Sequence, residues 1–365
     1  VAEHADRLDR LAAALPAAGV DALLVTDLLN VRYLTGFAGS NGIVVATAGG
    51  ATLTTDFRYQ EAVEPLRSTL DVAILDRDIV GRTAERLGEL APGCARIGLE
   101  AATLPLAVAE RLRGLAPAGV ELVATEGVVE GLRRAKSPTE IAATRHASDV
   151  LEDVYRRIAD GPLVGRTEAD VAWEIERMIR EAAFPELSFR PIVAAGANGA
   201  LPHAEPRDVA IGRGDLVVID IGARSASGYC SDCTRTLAAG GPPSPEAAAD
   251  YALVLEAQLA GLGAVRPGAV GGIVDATARE VIEAAGCGDL FGHGLGHGTG
   301  LEVHEAPTLR KGSEDVLAPG DLVTVEPGLY RPGRWGIRIE DHVVVTEAGH
   351  EILTAFPKDL LETPA

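Results

Sequence analysis

Apolar positions along the first 130 residues follow two alternating rhythms. A helical spacing near 4–18, 58–68, 81–90 and 104–115 is interleaved with short apolar runs at Ala22–Thr26, Gly42–Ala46 and Ala51–Thr55. Residues that return every three or four positions share one helix face, whereas a brief apolar run bounded by turn residues suits a buried strand. The alternation predicts a small α/β domain over 1–130. Pro117 and Gly119 punctuate its end, and a last strand at Glu121–Ala124 leads to a connecting helix.

The pattern changes after Lys136-Ser137-Pro138-Thr139-Glu140. Ser137 can cap a helix, Pro138 suits its first turn, and Glu140 completes a capping box. A long helix to about Ala159 follows, with Ile141, Val150, Leu151, Val154 and Ile158 on its apolar face. Thr167 and Asp170 open another, running to about Ala183, and two more are expected at 245–262 and 269–285. Residues 131–365 therefore read as two helices then strands, followed by the same again, an α+β domain built on an internal repeat.

The repeat is visible in the residues. Gly214-Asp-Leu-Val-Val-Ile-Asp220-Ile-Gly222 aligns with Gly320-Asp-Leu-Val-Thr-Val-Glu326-Pro-Gly328, sharing GDLV and a carboxylate at the seventh place. A second strand follows each copy, Tyr229–Leu237 and Trp335–Thr346, and each carries its own acid, Asp232 and Glu340. Matched carboxylates on both strands of both copies are hard to ascribe to chance.

Composition narrows the function. The 365 residues are 47% hydrophobic, ample for two cores, and no apolar run approaches the roughly 20 residues that span a bilayer. The opening VAEHADRLDRLAAAL reads as an amphipathic helix without the cationic-then-apolar order of a secretion signal, so a cytoplasmic location is expected. With 33 basic against 53 acidic residues the net charge is −20, which speaks against a nucleic-acid partner. The four cysteines are too few for a disulfide framework. Cys230 and Cys233 form a C-x-x-C, but residues three apart on a strand point to opposite faces, and no second pair completes a four-sulfur zinc site.

The acids interrupt apolar strands: Asp220 follows Leu216–Ile219, Glu326 follows Leu322–Val325, and Glu340 closes Ile337-Arg-Ile. Buried carboxylates are rare unless paired or metal-bound, because desolvation is costly. For any single acid, a partner such as Arg235 or Arg338, or an exposed strand end, is the simpler account. Four acids arranged by a repeat point to a cation cluster. Three of the eight histidines lie within the twelve residues His293-Gly-Leu-Gly-His297-Gly-Thr-Gly-Leu-Glu-Val-His304. The glycines suggest a backbone that passes close to something, but the spacing is not that of a phosphate loop. Imidazole beside carboxylates suits manganese, cobalt, zinc or iron(II) better than calcium or magnesium.

These residues resemble the pita-bread metallopeptidases, the fold of methionine aminopeptidase, aminopeptidase P and prolidase. The family signature of Asp, Asp, His, Glu, Glu matches Asp220 in VVIDIGA, Asp232 in SDCTRT, His297 in HGLGHGTG, Glu326 in VTVEPGLY and Glu340 in IRIEDH. The two aspartates stand twelve apart, one more than is usual in relatives, which an extra residue in the Arg224–Gly228 turn would absorb. Leu201-Pro202-His203-Ala204 and His293-x3-His297-x6-His304-Glu305 resemble the proline-specific branch. Tyr33-Leu-Thr-Gly-Phe37 and Thr55-Asp-Phe-Arg-Tyr59 resemble its creatinase-like amino-terminal domain. Creatinase itself lacks the metal ligands.

The resemblance implies an Xaa-Pro aminopeptidase, cleaving between an N-terminal residue and a following proline, with an Xaa-Pro dipeptidase (prolidase) as the alternative. It implies two divalent ions, manganese first, with cobalt, zinc and iron(II) open. Asp232 and Glu340 would bridge them, Asp220 chelate one, and His297 with Glu326 serve the other. Glu326 would also assist proton transfer, His203 and His304 would stabilise the reacting centre, and His293 would shape the proline pocket. Arg338, two residues from Glu340 on the same strand face, would support that acid or contact substrate, or form an ordinary ion pair. Arg190, Arg310 and Arg338 are all candidates for a substrate carboxylate. The implied partner is a peptide with proline at its second position, neither nucleic acid nor membrane, and the implied assembly is a homodimer. A non-catalytic binding protein on the same fold, or a hydrolase of organophosphate esters on the same metals, are the readings from other classes.

Overall fold

Short buried strands and capped helices build both parts of this chain in the computed structural model, which describes residues 2–76, 78–182, 184 and 186–365. The chain divides into two units at Arg133/Arg134.

The first unit contains α1 (Ala2–Ala14), β1 (Ala22–Val25), α2 (Leu28–Thr35), β2 (Gly42–Thr47), β3 (Gly50–Asp56), β4 (Asp71–Leu75), α3 (Ile79–Glu85), α4 (Leu87–Leu90), β5 (Arg96–Glu100), α5 (Leu106–Leu115), β6 (Glu121–Thr125) and the start of α6 (Val128–Arg134). Its six-stranded mixed sheet runs β4-β3-β2-β1-β5-β6. Leu24, Val45, Ile97 and Leu99 of the sheet bury against Leu87 and Leu112 of the helices. The helix expected at 58–68 is instead two short 3-10 turns, Phe57–Tyr59 and Glu64–Ser68. Pro65 removes a helical donor there, and Phe57 is left exposed rather than packed on an apolar face. α2 and β5 carry too few apolar residues in a row to announce themselves, whereas β4 does hold such a run, Val72–Leu75, outside the strands expected from the pattern. Asn30, beside the Tyr33 motif, is buried in a structural network: its amide donates to Glu100 and Glu130 and accepts from Arg133.

Asp56 at the end of β3 caps the following turn through Arg58 N, accepts from Asn41, and pairs with the Arg58 guanidinium at 2.7 Å. The hydrogen bond from Arg58 outweighs the effect of burial and holds the Asp56 carboxyl well below its usual range. Because the folded pKa is depressed, this contribution to stability is present above about pH 4 and is lost as pH falls below the unfolded value. Asp56→Asn should therefore flatten the acid limb of the melting profile between about pH 5 and 3. Thermal scans in which both proteins lose stability equally over that range would contradict this.

The second unit begins with α7 (Pro138–Ala159), whose expected capping box is present: Ser137 accepts from Glu140 N while Glu140 accepts from Ser137 N. α8 (Glu168–Glu181) is capped by Thr167; its expected end at Ala183 lies outside the described residues. Then come β7 (Glu186–Leu187), β8 (Ile192–Ala195), β9 (Leu216–Ile221), β10 (Ala223–Arg224), β11 (Cys233–Ala238), α9 (Pro245–Ala264), α10 (Gly271–Ala284), β12 (Gly296–Gly298), β13 (Glu305–Leu309), β14 (Leu322–Val325), β15 (Gly328–Arg331), β16 (Trp335–Arg338), β17 (Asp341–Thr346) and β18 (Gly349–Ile352). The main sheets run β11-β9-β8 and β13-β12-β14-β17-β18.

The repeat is a structural one. β9 pairs antiparallel with β11, and β14 pairs antiparallel with β17. α7 and α8 cover the first pair through Leu151, Val154, Ile175 and Ile179, while α9 and α10 cover the second through Ala257, Leu262, Val274 and Ile282. In each copy one acid lies in or just beyond the first strand, and the other immediately precedes the second.

Two expected strands are shorter than their apolar patterns. Trp335–Thr346 breaks at Ile339-Glu340, and its halves join different sheets. The break has a visible cause: Glu340 N donates to Thr234 O, and the buried Arg235 guanidinium holds the Glu340 carbonyl, drawing this residue out of the hairpin toward β11. Likewise Tyr229–Leu237 forms strand only from Cys233, because Cys230 and Ser231 bond to Gly300 and Ala223 instead. Cys230 and Cys233 are free, buried thiols. Among the described residues no helix is long and apolar enough to cross a membrane.

Candidate active site

The carboxylates and histidines singled out in the sequence converge on one cavity of about 520 Å³. It is lined by Asp220, Asp232, His297, Glu326 and Glu340, by His203, His293 and His304, and by Arg338. Asp220, Glu340, Glu326 and His297 are each held by a neighbour on one atom.

Asp220 Oδ2 accepts from Arg338 at 2.6 Å, while its Oδ1 is buried without a hydrogen-bond partner. Glu340 Oε2 accepts from Thr234 Oγ1 at 2.7 Å, and its Oε1 is likewise an orphan. Glu326 Oε1 accepts from Thr324 Oγ1 at 3.0 Å. Asp232 is 5% exposed, and one oxygen from it, one from Glu340 and one nitrogen of His297 lie within 4.8 Å of one another. Such a set can hold a cation, whereas orphaned buried oxygens otherwise carry a desolvation cost.

His297 sharpens the point. Its Nδ1 lies 3.1 Å from the carbonyl of Gly298, which can only accept, so that nitrogen carries the proton. Nε2 then faces Glu326 at 3.2 Å and Asp232 at 3.7 Å. A lone pair aimed at two carboxylates is reconciled only by a proton or a cation between them. The flanking glycines make the placement possible: a Cβ on Gly296 would overlap Thr324 O, and one on Gly298 would overlap Ala306 O. β12 thereby slides between β13 and β14.

The electrostatics describe a site with more negative charge than its own cations offset. Burial, then the charges of Glu340, Asp220 and Glu326, push the Asp232 carboxyl well above its usual range. Burial with Glu326 and Asp220 does the same to Glu340. Burial also raises Asp220, against the opposing pull of Arg338. Burial would raise Glu326 as well, but the hydrogen bond and charge of His297 bring it down to about 2. His297 moves the other way: burial lowers it, and Glu326 more than restores it.

A second chain of hydrogen bonds runs behind the site. Arg338 can only donate, and its Nη1 reaches Tyr330 Oη at 2.9 Å, so the tyrosine proton is left for His293 Nε2 at 2.9 Å. His293 Nδ1 in turn donates to Gly294 O at 2.8 Å. Burial lowers the His293 pKa, which keeps the ring neutral, and both its nitrogens are occupied. It therefore offers the cavity ring carbon rather than a proton. Arg338 also donates to Thr234 and to Pro202 O, so its guanidinium braces Asp220 and the 201–204 loop together.

His304 stands at the opening, its ring 4.3 Å from that of His297 in an edge contact. Burial, then the nearby His297, lower its pKa. His203 is exposed on the 201–204 loop and also lines the cavity. Sequence reasoning missed Thr234, Thr324 and Tyr330. Thr324 shares a strand face with Glu326, two residues on, and that spacing was the available signal. Thr234 sits opposite Asp220 in the β9–β11 register, which only the pairing reveals.

A family model for Metallopeptidase family M24 matches residues 142–347, and one for the Creatinase/Prolidase N-terminal domain matches residues 7–135. The chain is 33% identical over 358 residues to the Xaa-Pro dipeptidase of Pyrococcus furiosus, covering 98% of this chain and 99% of that one. Among solved structures, an Xaa-Pro dipeptidase from Bacillus anthracis superposes with a TM-score of 0.94 at 37% identity, over 98% of this chain and 99% of that one. An X-Pro aminopeptidase from Thermotoga maritima superposes with a TM-score of 0.86 at 32% identity, over 96% of this chain and 100% of that one.

Proposed function

This chain belongs to metallopeptidase family M24, and from that premise we propose that it hydrolyses the bond between an N-terminal residue and a following proline, with Xaa-Pro dipeptides preferred. The observation that carries the reading is the pair of buried, partnerless oxygens Asp220 Oδ1 and Glu340 Oε1 beside a His297 Nε2 whose lone pair points at Glu326 and Asp232. Four carboxylates and one imidazole fit divalent transition metals. Asp220, Asp232, His297, Glu326 and Glu340 would hold two such ions, manganese in our assignment, with Asp232 and Glu340 shared. When bound, the pair supplies a polarised water and charge stabilisation for the scissile carbonyl.

The chain's own groups do the rest. Glu326 Oε1 accepts from Thr324 Oγ1, which leaves Oε2 to take a proton from the attacking water and pass it to the prolyl nitrogen. His304 and His203 both line the cavity and donate to the oxygen that gains charge. The prolyl nitrogen has no N–H for a side chain to recognise, so a neutral His293 ring, spent on Tyr330 and Gly294, suits the wall beside it. A cytoplasmic homodimer completes the proposal, supported by family resemblance.

Substrate length turns on the arginines. Arg338 is committed to Asp220, Tyr330, Thr234 and Pro202, and Arg190 lies 3.8 Å from Glu205. Arg310 also lines the cavity, and among the described residues it has no ion pair. It is our assignment for the group that meets the carboxylate of an Xaa-Pro dipeptide. Arg310→Ala should raise KM for Ala-Pro about tenfold, the loss of roughly 1.5 kcal/mol of charge-assisted bonding, and barely affect Ala-Pro-Ala. Faster turnover of Ala-Pro-Ala, indifferent to Arg310→Ala, would make the protein an Xaa-Pro aminopeptidase instead.

A further inference from the structure

Lys136 precedes α7 and is a buried lysine, its side chain 1% exposed, far in sequence from every residue of the site. Lysine is rarely buried without a partner. Its partner is Glu305, the residue directly after His304, at 3.3 Å and with a side chain only 7% exposed. Burial lowers the Lys136 pKa, opposed by the charge of Glu305.

Glu305 organises the loop that carries His304. Its Oε1 accepts from Glu302 N at 2.9 Å while its Oε2 accepts from Lys136 Nζ. The carboxylate fills the space left by Gly300, where a Cβ would overlap it. The loop's earlier residues are anchored elsewhere: Gly300 O accepts from Cys230 N, and Leu301 O accepts from Arg224. On its far side, the polar anchor next to His304 is the Glu305 carboxylate. β13 begins at Glu305, opposite Gly298 and one residue from His297, where the β12–β13 register shifts. The irregularity therefore falls where the His297 and His304 rings meet.

We propose that the buried Lys136–Glu305 ion pair sets the position of His304 over His297, which makes Lys136 a positioning residue for the reaction. The inference rests on the catalytic role given to His304 above. Lys136 also lies close to structural elements it helps to fix, since its backbone N–H donates to Gly320 O. The side chain alone is at issue, because a substitution leaves that backbone bond in place. Removing the ammonium takes from the buried carboxylate the charge partner that holds its Oε2, and the carboxylate then recruits water there and pulls the loop with it.

The test uses the metal-loaded full chain. Lys136→Met should lower kcat for Ala-Pro at least tenfold while KM stays within twofold and bound metal is unchanged. Lys136→Met with Glu305→Gln, which removes both charges, should recover kcat to within threefold of the parent, and Lys136→Arg should stay close to it. If Lys136→Met does not fold, the double variant still decides, because it carries neither charge of this pair. A double variant no better than Lys136→Met, or a Lys136→Met protein with unaltered kcat, overturns the proposal. NMR of labelled histidine side chains separates this from the functional reading. The His304 resonances should move in Lys136→Met and return in the double variant even if the parent protein cleaves no Xaa-Pro peptide; unmoved resonances sink the positioning role by themselves.

Discussion

Asp232→Asn is expected to lower Ala-Pro turnover about a thousandfold and to strip bound metal, since removing one member of a buried charge set costs about 3–5 kcal/mol. The substitution keeps the side chain's shape and removes only a charge and an inward acceptor. Its effect on stability should reverse with metal. Burial and the neighbouring acids hold the Asp232 carboxyl well above its usual range. A raised carboxylate pKa means that ionisation opposes folding as pH rises past the unfolded value, so the metal-free protein carries that strain at neutral pH. With chelator present, Asp232→Asn should therefore melt above the parent. With metal in thousandfold excess over its dissociation constant, the parent gains about 4 kcal/mol that the variant does not, and the order inverts. Elemental analysis and paired melting curves with and without chelator measure both halves. A variant that keeps its metal and its activity, or that melts lower than the parent in chelator, would remove Asp232 from the centre of the site.

The convergence on one cavity was legible because duplication wrote the same apolar-then-acid phrase twice, and a carboxylate after Leu-Val-Val-Ile or Leu-Val-Thr-Val has few cheap alternatives. The glycines around His297 were legible too, as a backbone that must approach its neighbours closely, and they fit β12 between Thr324 and Ala306. What holds these groups in place was not legible. Thr234 and Thr324 look like ordinary strand residues, since threonine is favoured there without any partner. Tyr330 acquires meaning only when β15 folds back on β16 and brings it to Arg338, and the Glu340 break depends on Arg235 from another strand. In the first unit, β5 owes its identity to parallel pairing with β1, a long-range event that no local pattern announces. Local physics marked the costly groups; only the fold names their partners.

Two histidines with touching rings should behave oppositely when replaced. His304→Ala should retain the full metal complement and nearly unchanged KM, yet lose about a hundredfold to a thousandfold in kcat, the usual consequence of removing a donor to developing negative charge. The geometry motivates the split. His297 has Nδ1 committed to Gly298 O and Nε2 aimed at Glu326 and Asp232, so it belongs to the cluster of inward ligands. His304 lines the cavity but touches no carboxylate of that cluster among the described contacts, and its lowered pKa leaves a neutral ring able to donate one hydrogen bond near pH 7. His297→Ala should instead lose metal, because it removes the nitrogen of the Asp232–His297–Glu340 group. Metal content measured beside kcat and KM for both variants is the check. If His304→Ala loses metal while His297→Ala keeps it, the roles are exchanged, and the ring contact at 4.3 Å would then place His304 among the ligands and His297 in its support.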